Sequence, residues 1–198
     1  MAILTLPIEA DSEAWAFKTN TIAFESVLDN TVQTSSLTGG KWRASLTFSS
    51  TTAPRMRALR AFLMALEGQA GRFYLSPSLY VPGGDVLSSD LGQVMGAGQT
   101  GSALTTDGWT NSTLLFKAGD FVEINGELKV VTADCSSGGT GIASISFKPE
   151  LRTSPPDNQP LVVAAPRCIM KLTNDEQAEW QLSLNTTFAV SFTCEEAI

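Results

Sequence analysis

Histidine is missing from all 198 residues. That absence removes the neutral-pH acid–base residue, the Ser-His and Cys-His dyads and the commonest metal ligand. Most hydrolytic chemistry goes with it, so no enzyme activity, metal or cofactor is expected. Cysteine is nearly as scarce. Cys135, Cys168 and Cys194 are widely spaced, odd in number and without a C-x-x-C partner, which argues against a zinc site or a disulfide framework. Free thiols in a protein made in the cytoplasm are the expectation. Long apolar runs are also lacking: no stretch approaches the roughly 18 residues of a membrane span, and no basic segment leads into an apolar one at the N-terminus. Neither membrane insertion nor export by a signal peptide is expected. Positive charge is in deficit, with 13 Lys and Arg against 20 Asp and Glu for a net charge of −7 at pH 7. An acidic surface of that kind repels DNA.

What is present is clearest from Trp42 to Pro77, where the apolar period switches from two to 3.6 and back. Trp42-Arg43-Ala44-Ser45-Leu46-Thr47-Phe48 alternates as a half-buried strand does. A helix follows, with N-cap oxygens on Thr51 and Thr52, Pro54 in the first turn and Gly68 at the left-handed C-terminal position. Met56, Leu59, Phe62, Leu63 and Leu66 fall within an arc of roughly 120°, the stripe a helix needs to lie on a sheet. Burying the five is worth at most about 10 kcal/mol before the entropic costs of folding. Ala58, Ala61 and Ala65 form a second face, where small residues permit close approach of another subunit or simply serve as good helix formers. Gly71 to Leu75 returns to strand.

Two breaks punctuate the rest. One is Val81-Pro82-Gly83-Gly84-Asp85, followed by a glycine-rich passage through Gly101; the other is Thr153 to Pro160, whose prolines read as an extended connector. Between them lie strand candidates at Ser102 to Thr106, Thr113 to Phe116, Phe121 to Ile124, Leu128 to Ala133 and Gly141 to Phe147, with Asn125-Gly126 as a tight-hairpin signal. Five short strands so spaced suggest a small barrel of the OB kind. After the second break, Pro166 to Leu172, Trp180 to Leu184 and Phe188 to Cys194 look like strands. Phe188, Val190, Phe192 and Cys194 would share one face, so the last strand is expected to complete the sheet begun before the helix. The expected architecture is mainly β: residues 1–80 and 161–198 form a β-sandwich with one packed α-helix, and residues 81–160 an inserted OB-like β-barrel.

The segments Trp42 to Phe48, Leu59 to Gly68 and Gly71 to Pro77, with Ala118 to Phe121, Phe147 to Arg152 and the closing Cys194-Glu195-Glu196, resemble distal tail and hub-associated tail proteins of long-tailed, siphovirus-like bacteriophages. That resemblance implies a tail-tube-like β-sandwich and a virion structural protein of the tail tip. It further implies a homohexameric ring joining the tail tube protein to hub or baseplate proteins, with DNA passing through the lumen without specific binding. No catalytic or ligand residues carry over, because such proteins are scaffolds.

Other features have duller readings. Arg55, Arg57 and Arg60 make either a phosphate site or a solvated helix face. Asp175-Glu176 and Glu195-Glu196 are paired acids of the kind that cleave glycosides or, more simply, solvated acids in a turn and near a terminus. Gly96-Ala97-Gly98-Gln99-Thr100-Gly101 has phosphate-loop spacing but no following helix. Trp109 and Phe116 could stack on sugar or fill a core. The alternative function is accordingly a saccharide- or host-surface-binding module acting in adsorption.

Overall fold

A computed structural model describes residues 2–86, 92–177 and 188–197. The chain is mainly β with one α-helix, and divides into two compact units: 1–73 with 170–198, and 74–169. In chain order the first unit begins with β1 (Ile3–Thr5), β2 (Ser12–Glu25), β3 (Val32–Thr51) and α1 (Ala53–Ala65), and β4 (Arg72–Leu75) runs across the 73/74 boundary. The second unit holds β5 (Gln93–Val94), β6 (Gly101–Asp107), β7 (Leu114–Phe116), β8 (Phe121–Ile124), β9 (Glu127–Val131), β10 (Cys135–Ser136) and β11 (Ala143–Leu151). β12 (Cys168–Leu172) and β13 (Phe188–Glu196) bring the chain back. The expected strand at Trp180 to Leu184 lies outside the described residues.

The first unit is one six-stranded sheet in the order β1-β4-β12-β13-β3-β2. Alternation puts Trp42, Ala44, Leu46 and Phe48 of β3 and Val190, Phe192 and Cys194 of β13 on its buried face. Phe48 stacks on Phe192 with centroids 5.8 Å apart. Among the described residues the layer covering that face is α1, not a second sheet. Met56, Leu59, Phe62, Leu63 and Leu66 are all buried, and Phe62 meets Phe73 edge-on at 5.4 Å. The helix ends differ in detail from expectation. Thr52 sits at the N-cap with extended backbone but its side chain makes no capping hydrogen bond. The left-handed position after the helix is taken first by Glu67 (φ 51°) and then by Gly68 (φ 67°). Asp175, whose Oδ1 accepts the Gln69 N–H, leaves no room for a β-carbon on Gly68.

The second unit curls one sheet, β5-β6-β11-β9-β8, around a core that includes Val94, Leu104, Val122, Ile124, Ile145 and Phe147, with β7 and β10 as a separate ribbon. β11 makes the corner, since it pairs with β6 through Ala143–Ser146 and with β9 through Phe147 and Lys148. Asn125 (φ 51°) and Gly126 (φ 77°) are both left-handed, the two-residue turn that suits a right-twisted hairpin. The supposed connector is part of this unit. Gln93 bridges to Pro160 and Glu123 to Val162, so residues 158–162 hydrogen-bond to both edges of the curled sheet. The unit boundaries accordingly fall at 73/74 and 169/170, outside the 80/81 and 160/161 read from composition. Tyr80 donates to Asp120, and Arg167 lies 4.0 Å from the Tyr74 ring, so both flanks belong to the insert.

Candidate functional site

β2 and β3 form an antiparallel hairpin in register from Ser12↔Thr47 to Glu25↔Val32, with one irregularity between Lys18 and Asn20. Its base is anchored on the buried face, where Trp15 and Phe17 pack edge-on against Trp42 at 6.3 and 5.1 Å. Beyond that anchor burial stops. Residues 19–39 are exposed apart from a half-buried Ser26, among them Ile22 (42%), Phe24 (64%), Val32 (59%), Leu37 (45%), Val27 (97%) and Leu28 (99%). Register puts Ile22, Phe24 and Leu37 on one face of the ribbon. The tip has a defined turn. Asn30 N–H donates to Ser26 O and Ser26 N–H to Thr31 O, while Asp29 Oδ1 accepts from the Thr31 N–H and hydroxyl. Bonds from Ser26 and Thr31 hold the Asp29 carboxyl below its ordinary pKa.

This arm was not read from the sequence. A signal exists in Ser26 to Asn30, turn formers between the β-branched and aromatic stretches Thr21-Ile22-Ala23-Phe24 and Val32-Gln33-Thr34. It is weak because no face of the arm is buried within the chain, so clean alternation is missing.

The sheet face opposite α1 is polar and cationic at one end. Glu195 stands between Lys41, Lys171 and Arg43 at 3.4, 3.4 and 3.5 Å. Burial opposes its charge, but Lys41 and then Lys171 outweigh that and hold its carboxyl below the ordinary value. Lys18 faces Lys41 across the β2–β3 ladder. Glu196 is buried and accepts the Trp42 N–H at 3.1 Å. The terminal acid pair, expected to be solvated, is therefore built into the sheet on opposite faces.

The helix residues separate cleanly. Met56, Leu59, Phe62, Leu63 and Leu66 serve the core, whereas Ala61 and Ala65 are exposed with Met64, and Ala58 is half-buried. Arg55 donates to Glu9 O and lies 4.0 Å from Asp11, so it does not join Arg57 as a free cationic pair.

In the second unit the chemistry-bearing groups are structural. Asp120 accepts from Tyr80 Oη at 2.7 Å and from the N–H groups of Lys117, Gly83 and Gly84 at 2.8, 2.9 and 3.2 Å. Leu115 leaves no space for a β-carbon at Gly84, which explains the Gly83-Gly84 break. Glu123, raised by burial against the opposing pull of Arg167, accepts the Arg167 N–H. Gln99 fills the phosphate-loop lookalike, donating to the carbonyls of Met95, Gly96 and Thr105 and accepting the Thr105 N–H. Trp109 and Phe116 are both buried, edge to face at 5.8 Å, and Trp109 Nε1 donates to Thr106; the pair presents no stacking platform. Cys135, Cys168 and Cys194 are free and buried. Among the described residues no group of three or more Cys, Asp or Glu could hold a metal, and no helix is long and apolar enough to cross a membrane. No family model and no curated protein matches the chain.

Proposed function

We propose that the protein is a non-enzymatic ring subunit of a bacteriophage tail tip, six copies of which connect the tail tube to hub or baseplate proteins around the DNA channel. The observation that carries this reading is the hairpin arm. Seven residues of strand beyond Lys18 reach about 24 Å, and a ribbon that long with an apolar face has no function within its own chain. Exposed apolar surface of this kind marks a protein contact, and where each identical copy seats it on a different surface of the next, the contact repeats into a closed ring or a filament. The resemblance of the strand–helix–strand segment to distal tail proteins selects the ring. Net charge supports the same reading, because six acidic copies offer DNA few phosphate-pairing sites. Electron microscopy of the purified protein and of tails tests the proposal. Six copies with sixfold or pseudo-sixfold symmetry and no measurable duplex-DNA affinity at physiological salt are expected; one copy per tail, or micromolar DNA binding, would refute it.

A further inference from the structure

Between Thr19 and Gly40 the only charged residues are Glu25 and Asp29, both acidic and both at or beside the arm's turn. The base of the same hairpin has the opposite character. Lys18, Lys41, Arg43 and Lys171 share the sheet face away from α1, and among the described residues Glu195 is the carboxylate that pairs with Lys41, Arg43 and Lys171. Two of these cations, Lys18 and Lys41, stand directly opposite each other, an arrangement that costs stability unless an anion comes between them. The protein as a whole is acidic, so this concentration of cations is against its own composition.

We infer that the acidic, apolar tip of one copy's arm, Phe24 to Asp29, docks on the cationic sheet face of the next copy, around Lys18, Lys41 and Arg43. The inference rests on the ring reading above and names the contact that makes the ring. Tip and base belong to one stiff ribbon separated by several strand residues, so a chain cannot satisfy its own face. The contact is heterologous, tip to face, and repeats in one direction around a ring. The charges set register and encounter rate while Phe24, Val27 and Leu28 supply the buried apolar area.

Sedimentation of the full-length chain tests it, at low and high salt, with two charge-changed variants and their combination. The tip variant is Glu25→Lys with Asp29→Asn, which keeps an oxygen for the Thr31 turn; the face variant is Lys18→Glu, which leaves the Glu195 bonds intact. Each is expected to weaken assembly about tenfold, with added salt weakening the wild type similarly. The chain carrying both sets of changes should assemble at least about threefold better than either variant alone, since Glu25→Lys and Lys18→Glu together restore one opposite-charge pair while Lys41 and Arg43 stay cationic. Melting curves within the wild-type range show that the variants fold. Rings that ignore both changes, or a doubly changed chain that stays dissociated, would overturn the contact and leave the ring reading standing. A wild-type chain that is monomeric in every condition and in tails removes both. Saturable duplex-DNA binding that Lys18→Glu abolishes and the tip variant retains would show that the face serves a nucleic acid and overturn the inference.

Discussion

The energetics of Asp120 are set by four donors, from Tyr80, Gly83 and Gly84 on one segment and Lys117 on another. Burial disfavours its charge, yet the Lys117 N–H, Tyr80 hydroxyl and glycine N–H groups outweigh burial and keep its pKa below the ordinary value. A lowered carboxylate pKa stabilises the fold above the unfolded pKa, near 4, and that contribution disappears as the pH falls through the folded value. Asp120→Asn should therefore be less stable than wild type by about 2 kcal/mol at pH 7. The gap between the two urea midpoints should narrow as the pH falls below about 4 and close once it has passed through the lowered folded pKa, where wild-type Asp120 is also neutral; a gap independent of pH would show that charge plays no part. At the thiols, burial pushes Cys194 up to about 12 and raises Cys135 as well. A thiolate reagent should react slowly with native protein and titrate three thiols after denaturation without reductant. Mass spectrometry detecting any disulfide would contradict this.

At the scale of elements, α1 has two faces with opposite sensitivities. Leu59→Asp or Phe62→Asp places a charge against the sheet with no partner and should cost more than about 4 kcal/mol, enough to unfold the first unit. Ala61→Glu on the exposed side should stay within about 0.5 kcal/mol of wild type. Thermal melts decide both, and if Ala61→Glu nevertheless abolished ring formation, the alanine face and not the arm would be the subunit contact. The arm behaves in the reverse way. Shortening the hairpin by removing residues 22–35 and joining the paired Thr21 and Ser36 through Asn-Gly should leave the melting midpoint nearly unchanged, because the removed segment is exposed, while eliminating assembly.

For the whole molecule, division into two units implies separate cores. The ends of the second unit meet, since Arg167 lies over Tyr74 and Arg167 N–H bonds Glu123. Residues 74–169 made alone should fold and unfold in one cooperative transition, whereas 81–160 should not, because it lacks Tyr80, the 161–162 pairing and Arg167. Equal cooperativity in both fragments would show that the outer residues contribute nothing to that fold.

Local rules made much of this protein legible in its sequence. Period two in Trp42 to Phe48 and Phe188 to Cys194, the helical stripe from Met56 to Leu66 and the Asn125-Gly126 turn follow from side-chain direction and backbone sterics acting within a few residues. So did the absence of histidine, which is a statement about available chemistry and needs no coordinates. What tertiary structure alone decided involves partners far apart in the chain. The Trp42 N–H finds Glu196, 154 positions on; residues 158–162, proline-bounded and unpatterned, pair with both edges of a curled sheet; and Lys18, Lys41, Arg43 and Lys171 gather on one face only through the β12-β13-β3-β2 ladder. The arm escaped notice for a related reason. Hydrophobic alternation records burial within one chain, and a segment whose apolar face is turned outward leaves no such record.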